Sequence, residues 1–213
     1  MDYGINLTTH QIASLQSVIQ LAQTCQVDDL HTQQVTHLAL NIFDSTLDLH
    51  HMSQPERFLL LCSSLLHDIG WVDGWKNHHK ATLRIILSAP LLRLSAKERL
   101  LIGSIARYHR GALPIPKHDH FVAINPADKE NMLMLAAMLR LADGLDASHQ
   151  QRITHMTVET TKRKVILHCT VNADLVEELD QLPDKASLFR LVFKHKVEIN
   201  PIVLSNESTI SLS

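Results

Sequence analysis

One apolar run that ends in two polar residues constrains this chain more than any other feature. The run FLLLCSSLLHDIG covers residues 58–70, and its closely spaced leucines predict a buried helix that begins near Pro55. His67 and Asp68 follow at the last turn, where a polar pair beside so much apolar surface is costly unless a partner satisfies it. Gly70 is expected to adopt the left-handed conformation that ends a helix, so that both polar residues emerge at the helix end.

The spacing of apolar residues predicts an all-helical body over about the first 150 residues. Six helices are expected, with starts at Thr8 or Thr9, Asp28 or Asp29, Ser53–Pro55, Asn77, Ser95 and Asp128. The second helix is expected to reach about Leu49, and the sixth to end at Asp143 and Gly144. Residues 111–128 contain three prolines and are predicted to form a long loop.

The pattern changes after about residue 150, where apolar and polar residues begin to alternate. The predicted order is strand 153–160, strand 164–171, helix 174–193 (which Pro183 is expected to interrupt) and strand 197–204. The predicted fold class is therefore mainly α, with a small C-terminal α+β module. We divide the chain into a helical domain at 1–150, a β-β-α-β module at 151–204 and a polar tail at 205–213.

Composition gives no support to several functional classes. The 20 basic and 22 acidic residues nearly balance, which gives no argument for a nucleic acid or an acidic membrane as partner. The three cysteines are odd in number and widely spaced, so neither a disulfide framework nor a thiolate zinc site is predicted. The start of the chain lacks a signal-peptide pattern, and the longest apolar run, 132–139, is far short of the ~20 residues that span a bilayer. We therefore expect a cytoplasmic protein with neither a nucleic-acid nor a membrane partner.

The 15 histidines raise the expectation of a metal site. Candidates to meet beside His67 and Asp68 all lie at or near predicted helix ends: His31, His78, His79, His109 and Asp143. Imidazole and carboxylate ligands without thiolates suit Mn²⁺, Fe²⁺, Co²⁺, Ni²⁺ or Zn²⁺ rather than a closed structural zinc site. The alternative is that these histidines are hydrogen-bonded residues of the core.

Two ligand sets that share a carboxylate would suit two ions about 3.5–4 Å apart, which activate water for attack on phosphorus. Cationic side chains near the same helix ends are candidates for binding phosphate oxygens: Lys80, Arg107, Arg110 and Arg140. The alternative reading of these four residues is solvated charge at helix ends.

The arrangement of His31, His67–Asp68 and Asp143 resembles the H…HD…D signature of the HD superfamily of metal-dependent phosphohydrolases. The words DDLHTQQVTHLALNIFD, LLHDIG, NHHKATLRIIL, SIARYHRG and MLRLADGLDASH resemble the helical, HD-like C-terminal region of the exopolyphosphatase/guanosine pentaphosphate phosphatase family. The segment after Arg152, through SLFRLVFKHKVEI, resembles the small module that ends those proteins. The resemblance extends from about Cys25 to Ile199.

The resemblance implies an HD-type helical bundle that binds one or two divalent ions (Mn, Fe, Co, Ni, Zn or Mg). It places His31, His67, Asp68 and Asp143 at a first metal site and His109 at a second, with His67 and Asp68 as catalytic residues and Asp68 shared. For the remaining ligand of the second site, His79 is the better match and His78 the fallback. Ala81 stands where family members often carry a further histidine.

The resembling family also has an N-terminal actin-like domain that carries out its phosphatase chemistry, and the sequence contains no Gly-rich phosphate loop of that kind. Exopolyphosphatase activity is therefore not expected of this chain. The expected function is hydrolysis of a phosphate ester or anhydride, with a nucleotide as substrate class and guanosine tetra- or pentaphosphate as candidates. The alternatives are a regulatory module that binds a nucleotide or polyphosphate without catalysis, and a purely structural helical adaptor. A homodimer is left open.

Overall fold

The fold is described here from a computed structural model, which describes residues 7–203. In that range, ten α-helices occur: α1 (Thr9–Thr24), α2 (Asp29–Ser45), α3 (Leu47–His50), α4 (Gln54–Leu66), α5 (His78–Ser88), α6 (Ala96–Arg107), α7 (Asp119–Ala123), α8 (Pro126–Gly144), α9 (Val176–Lys185) and α10 (Ser187–Phe193). A 3-10 helix covers Ile69–Asp73. The strands are β1 (Ile153–Thr160), β2 (Lys164–Val171) and β3 (Lys196–Val203). The mainly α fold class with a small C-terminal α+β module is confirmed, while the predicted tail 205–213 lies outside the described residues.

Helix α4 lies at the centre of the helical body, as its leucine-rich sequence predicts. Leu60, Leu61 and Leu66 are fully buried, and α4 packs against α1, α2, α6 and α8. Such close packing against four helices removes most of the apolar surface of α4 from water, which is the main force that stabilises the body. None of the helices in residues 7–203 combines the length and the apolar character that crossing a bilayer requires.

Several predicted helix starts are confirmed by side chains that cap them. Thr8 accepts a hydrogen bond from the backbone of Gln11, and Ser95 from that of Glu98; both pairs form capping boxes. Asp28 accepts from the backbone N–H of His31 at 3.2 Å and so caps α2. These caps satisfy backbone donors that a helix leaves unpaired in its first turn. The cap of α2 also fixes the position of His31 in that first turn.

Three predicted element boundaries in the helical body are wrong. The second helix ends at Ser45 and not near Leu49, and Leu47–His50 form the separate helix α3. The predicted loop 111–128 contains α7 and the start of α8, which Asn125 caps by accepting from the backbone N–H of Ala127. Pro126 suits the first helical position because it has no N–H to leave unpaired. Asp128, the predicted cap, instead pairs with Lys97 at 2.9 Å.

The C-terminal module forms a three-stranded sheet with the order β1-β2-β3. Strands β1 and β2 are the antiparallel hairpin that the alternating sequence predicts, and β3 lies parallel to β2 on its other side. The predicted helix 174–193 is two helices that divide at Ala186, while Pro183 lies within α9. One continuous cluster of buried apolar residues includes members of both the helical body and the sheet. The division into two domains stays a prediction.

Gly70 is required for a reason that differs from the predicted one. Its φ is not positive, so it does not end α4 in a left-handed conformation. A Cβ at Gly70 would lie 2.0 Å from the carbonyl oxygen of His78 and 2.6 Å from the backbone nitrogen of Thr82. The Thr82 hydroxyl accepts from the Gly70 N–H at 3.0 Å and donates to the His67 carbonyl at 2.9 Å. Glycine therefore allows the 3-10 helix after Asp68 to pack directly against the backbone of α5.

Gly70→Ala should destabilise the protein strongly, because the contact it creates is with backbone atoms that cannot rotate away. We expect a loss of about 3 kcal/mol or more in the free energy of unfolding, measured by urea denaturation. Gly103→Ala is the matched control, since the nearest atom to an added Cβ there is the end of the Leu83 side chain at 2.9 Å, which can rotate away; it should cost only about 1 kcal/mol. Equal losses for the two variants would contradict this account of Gly70.

Candidate metal centre

Six buried side chains from five segments of the chain meet in two adjacent groups. The first consists of His31, His67 and Asp143, and the second of Asp68, His78 and His109. Within each group, one nitrogen or oxygen atom from every member lies within 4.8 Å of the others. Residues separated by more than 100 positions in the sequence are thus brought together, as the helix-end hypothesis requires.

Helix ends bring these side chains into one place. His31 lies in the first turn of α2, and His78 is the first residue of α5. His67 directly follows α4, His109 lies just past the end of α6, and Asp143 lies in the last turn of α8. Because helix ends leave backbone groups without their usual intrahelical partners, they can both place a side chain and orient it through a backbone carbonyl.

Three of the imidazole rings are oriented in the same way. The Nδ1 atom of each faces the carbonyl oxygen three residues earlier: His67 to Ser64 at 2.7 Å, His78 to Trp75 at 2.9 Å and His109 to Ala106 at 2.7 Å. Since a carbonyl oxygen can only accept, each Nδ1 carries the hydrogen, and in the neutral ring Nε2 is left with its lone pair. All three Nε2 atoms therefore face the shared centre as acceptors.

His31 is oriented by a carboxylate instead. Its Nδ1 lies 2.8 Å from Oδ2 of Asp146, which is fully buried, and its Nε2 lies 3.4 Å from Oδ1 of Asp143. Burial lowers the pKa of His31, but hydrogen bonds to Asp143 and Asp146 outweigh burial and raise it to about 10. Without a metal ion, His31 is thus protonated at neutral pH, and its positive charge is stabilised by the surrounding carboxylates.

Asp68 connects the two groups because its two oxygen atoms point to different sides. Oδ1 lies 3.2 Å from Nε2 of His78 and 3.4 Å from Nε2 of His109. Oδ2 lies 3.5 Å from Nε2 of His67 and 3.9 Å from Nε2 of His31. A carboxylate placed in this way is suited to bridge two cations.

Several polar atoms of the two groups lack partners in the absence of a cation, and a metal ion fits among them. The Nε2 atoms of His78 and His109 lie 3.2 Å apart, and with both Nδ1 atoms protonated no hydrogen lies between them. Oδ1 of Asp68 is buried and accepts no hydrogen bond. Facing lone pairs and an unsatisfied buried carboxylate oxygen are unfavourable by themselves, and a divalent ion among them would satisfy all three. The donor set of imidazoles and carboxylates suits a first-row divalent metal.

Asp68 and Asp143 are ionised, as metal ligands must be. Burial raises the pKa of Asp143, but the ammonium of Lys185 and the nearby imidazoles outweigh it and hold that pKa well below its usual range. Burial also raises the pKa of Asp68, but protonation of the neighbouring rings of His67, His78 or His109 lowers it by more, so a proton that enters the group is held by an imidazole rather than by Asp68. Both side chains are therefore available as carboxylates.

The structure distinguishes between the two histidines at the start of α5. His78, the fallback of the sequence analysis, belongs to the second group, while His79, the preferred candidate, lies outside both groups. The His79 ring is perpendicular to that of His78 and faces Gly111. Because consecutive helical residues point about 100° apart, only one of the pair can face the centre.

The four predicted phosphate-binding residues lie in different surroundings. Arg110 lines the cleft above the two groups, whereas Lys80 and Arg107 line a neighbouring cleft. Arg140 is almost completely buried, and its guanidinium donates to the carbonyls of Tyr108 and Gly111 and to the carboxylate of Asp184. This set of partners gives Arg140 a structural role in joining α8 to α9.

Three residues beside the groups were not identified from the sequence. Asp146 orients His31, the ring of His149 stacks on His31 with ring centres 3.7 Å apart, and Lys185 pairs with Asp143. Gly144 allows Lys185 to approach Asp143, since a Cβ at position 144 would lie 2.6 Å from the Cβ of Lys185. Asp146 and His149 lie in the segment MLRLADGLDASH, whose family resemblance could therefore have pointed to them. Lys185 comes from α9, and no local pattern places it at the centre.

An open cleft of about 200 Å³ leads to the two groups. Asp68, His78, His109 and Asp143 lie on its floor, and Arg110, Lys185 and His149 lie on its walls. Trp71, from the 3-10 helix, forms a further wall; its ring stacks on His78 with ring centres 5.1 Å apart and remains 44% exposed. A small polar ligand can therefore reach the centre from solvent.

If the centre binds divalent ions, Mn²⁺ should stabilise EDTA-treated protein, with a rise in Tm of about 5 °C or more at saturation. His78→Ala should reduce this rise, because His78 belongs to the second group. His79→Ala is the matched control, since it removes the neighbouring ring outside both groups and should leave the rise unchanged. Differential scanning fluorimetry with and without Mn²⁺ makes the comparison independent of each variant's own stability. The opposite pattern would show that His79 is the ligand.

Comparison with known proteins relates this geometry to a family. Residues 14–185 match the family described as Ppx/GppA phosphatase, domain III. A guanosine-5'-triphosphate,3'-diphosphate pyrophosphatase from Vibrio vulnificus (strain YJ016) is 27% identical over 138 residues, which are 64% of this chain and 26% of that protein. The chain thus spans about a quarter of the length of that relative. Since the family match covers most of the chain, including all six residues of the two groups, the protein belongs to the Ppx/GppA phosphatase domain III family.

Proposed function

We propose that this protein is a metal-dependent phosphohydrolase of the HD superfamily that cleaves a phosphate ester or anhydride of a nucleotide. The observation that supports this most strongly is the position of Asp68, with one oxygen toward each of two groups of imidazoles. Membership of a phosphatase family supports the same reaction class, and the activity named for the Vibrio vulnificus relative makes guanosine pentaphosphate a reasonable first substrate to test.

The proposed ligands of a first ion are His31, His67, Asp68 and Asp143, and those of a second are Asp68, His78 and His109. Ions held there (Mn, Fe, Co, Ni, Zn or Mg) would lower the pKa of a bound water and offset the negative charge of a phosphate group. The residues that orient these ligands are as important as the ligands, because ring orientation decides whether Nε2 is available. Asp146 and the carbonyls of Ser64, Trp75 and Ala106 have this role.

Two cationic side chains on the walls of the cleft are suited to hold the phosphate. The ammonium of Lys185 pairs with Asp143 and lies 3.4 Å from the carbonyl oxygen of His109, which fixes it beside both groups. Arg110 lines the same cleft, with its guanidinium 5.9 Å from the ring centre of Trp75. Both can donate hydrogen bonds to phosphate oxygens while the carboxylates hold the cations.

The proposal of a nucleotide rests on Trp71. An indole ring that is 44% exposed at the wall of a polar cleft offers a flat apolar surface on which a base can stack. Trp71 also lines a second opening of about 300 Å³, together with Val27, Asp28 and His149. A nucleoside would therefore have room beside the phosphate cleft.

A non-catalytic binding module is the alternative function. The observation that favours it is the ion pair between Lys185 and Asp143, because the ammonium already neutralises one proposed metal ligand. In that case nucleotide or polyphosphate would bind and stabilise the fold without being hydrolysed. Turnover measurements separate the two functions.

Protein purified with Mn²⁺ should hydrolyse at least one member of a panel of nucleotides, including guanosine tetra- and pentaphosphate, with release of phosphate or pyrophosphate. Asp68→Ala should lower kcat by about 100-fold or more, because it removes the residue shared by both groups. Asp180→Ala, at an exposed position of α9, is the matched control and should retain full activity. Activity that survives Asp68→Ala would belong to a contaminant or another site.

GTP should quench the fluorescence of Trp71 if a base stacks on its ring. The chain contains two tryptophans, so Trp75→Phe gives a protein that reports on Trp71 alone. Inorganic triphosphate has the same phosphate chain without a base, and it should leave the fluorescence nearly unchanged. If the two ligands quench equally, the substrate is recognised through phosphate and the proposal of a nucleotide is wrong.

A further inference from the structure

A second open cleft lies beside the first and is not used by the proposed reaction. It has a volume of about 610 Å³ and lies between the start of α5, the end of α6 and the segment 111–120. Its cationic lining consists of Lys80, Arg107 and Lys117, and its imidazole lining consists of His79, His118 and His120. Gly111 lines both clefts, and the His79 ring packs against Gly111 between them.

Arg107 is the residue that most needs explanation. Only 5% of its surface is exposed to solvent. Nevertheless, one of its terminal nitrogens, Nη1, is buried without a hydrogen-bond partner. Among the ion pairs of residues 7–203, none includes Arg107; its guanidinium lies 5.6 Å from the ring centre of Tyr108. A buried guanidinium without a counter-ion is costly, so its presence in a cleft indicates an anionic partner that comes from solution.

Other groups around Arg107 also favour an anionic ligand. Lys80 and Lys117 are exposed at the cleft, and Asp119 is the single carboxylate among its described lining residues. Nε2 of His120 is buried without a hydrogen-bond partner, as is Nδ1 of His79. Imidazole N–H groups and cations together form a set of donors that oxyanions require.

The imidazoles of the cleft add hydrogen-bonding groups rather than charge. Burial lowers the pKa of His120 to about 4, and the charge of Arg107 contributes to that shift. Burial and Arg107 also lower the pKa of His118, which is hydrogen-bonded to the Tyr108 hydroxyl at 2.8 Å. Both rings are thus neutral at pH 7, and the positive charge of the cleft comes from Arg107 and the two lysines.

The three imidazoles do not form a further metal centre. Among the described residues, the groups close enough to share an ion are the two of the candidate metal centre, and neither includes His79, His118 or His120. Nearby guanidinium and ammonium groups would also repel a divalent cation. An anion is therefore the ligand class that this cleft fits.

We infer that the cleft around Arg107 is a separate binding site for a phosphate-type oxyanion, next to the candidate metal centre and independent of bound metal. Arg107 donates from Nη1 to the anion, and Lys80 and Lys117 add charge from the rim. The site either receives a second phosphate group of the substrate or binds a free phosphorylated regulator, and the chemistry that recognises the anion is the same in both cases.

The test uses full-length, EDTA-treated protein and inorganic pyrophosphate as the probe, titrated by isothermal calorimetry at low ionic strength. Arg107→Met should weaken binding about tenfold or more, since it removes a charged hydrogen-bond donor. Lys80→Gln/Lys117→Gln should weaken it as well. Lys162→Gln/Lys196→Gln removes the same two charges from exposed positions of the sheet module and should leave binding unchanged. Arg110→Met reports on the other cleft and should have little effect.

Several results would overturn the inference. One is the absence of pyrophosphate binding without metal, and another is binding that Arg110→Met weakens and Arg107→Met does not. If Lys80→Gln/Lys117→Gln and Lys162→Gln/Lys196→Gln weaken pyrophosphate binding equally, binding depends only on the net charge of the protein and the inference is wrong. Because no metal is present, these outcomes leave the proposed hydrolase activity untouched, so failure of one proposal is distinguishable from failure of the other.

Stability gives a second readout that does not depend on a ligand. If Arg107 is retained for binding, then Arg107→Met should fold with a Tm equal to or above that of the unmodified protein, because it removes an unpaired buried charge. A lower Tm together with unchanged pyrophosphate binding would show that Arg107 is a structural residue of α6.

Kinetics with a hydrolysed nucleotide then identifies the source of the anion. Competitive inhibition by pyrophosphate that disappears in Arg107→Met supports a substrate phosphate in the cleft. Non-competitive inhibition or activation that disappears in the same variant supports a free regulator. An effect of pyrophosphate that persists in Arg107→Met contradicts the site.

Discussion

The candidate centre depends on a single kind of contact: a hydrogen bond that holds the Nδ1 side of each imidazole. Carbonyl oxygens three residues earlier hold His67, His78 and His109, and Asp146 holds His31. These contacts decide which nitrogen of each ring faces inward. Without them the rings could rotate or change tautomer, and the same residues would form an ordinary network of buried histidines.

The helical body supplies these contacts through its ends. A carbonyl in the last turn of a helix has no intrahelical partner, so an imidazole just beyond α4 or α6 can bind it without competing with the helix. The close backbone approach at Gly70 then brings the start of α5 against the end of α4, which places His78 opposite Asp68. The sequence HDIG therefore combines two ligand residues with the glycine that lets the next helix reach them.

Much of the fold could be predicted from sequence because its signals are local. Leucine spacing located α4, capping residues located the starts of α1, α2 and α6, and alternation located the β-hairpin. The errors came where several signals competed. Asn125 and Asp128 are both good caps and lie three residues apart, and Pro126 directly after Asn125 favours Asn125.

The candidate centre was only partly predictable, since its members meet through tertiary packing. The HD pair and the dispersed His31, His109 and Asp143 were found from helix-end positions and family resemblance, and the structure brings them together. The choice between His78 and His79 depends on how α5 is rotated about its axis, which a sequence does not state. Lys185 reaches Asp143 from a helix more than 40 residues later, and the unpaired state of Arg107 is visible only in three dimensions.

The central claim is that four imidazoles and two carboxylates converge to hold divalent cations. The most direct measurement is a crystal structure of protein loaded with Mn²⁺, with anomalous scattering data that locate the metal. The account predicts one anomalous peak contacting His31, His67 and Asp143 and one contacting His78 and His109, with Asp68 between the two peaks. Well-defined side chains at these positions with no anomalous peak among them, at saturating Mn²⁺, would contradict it.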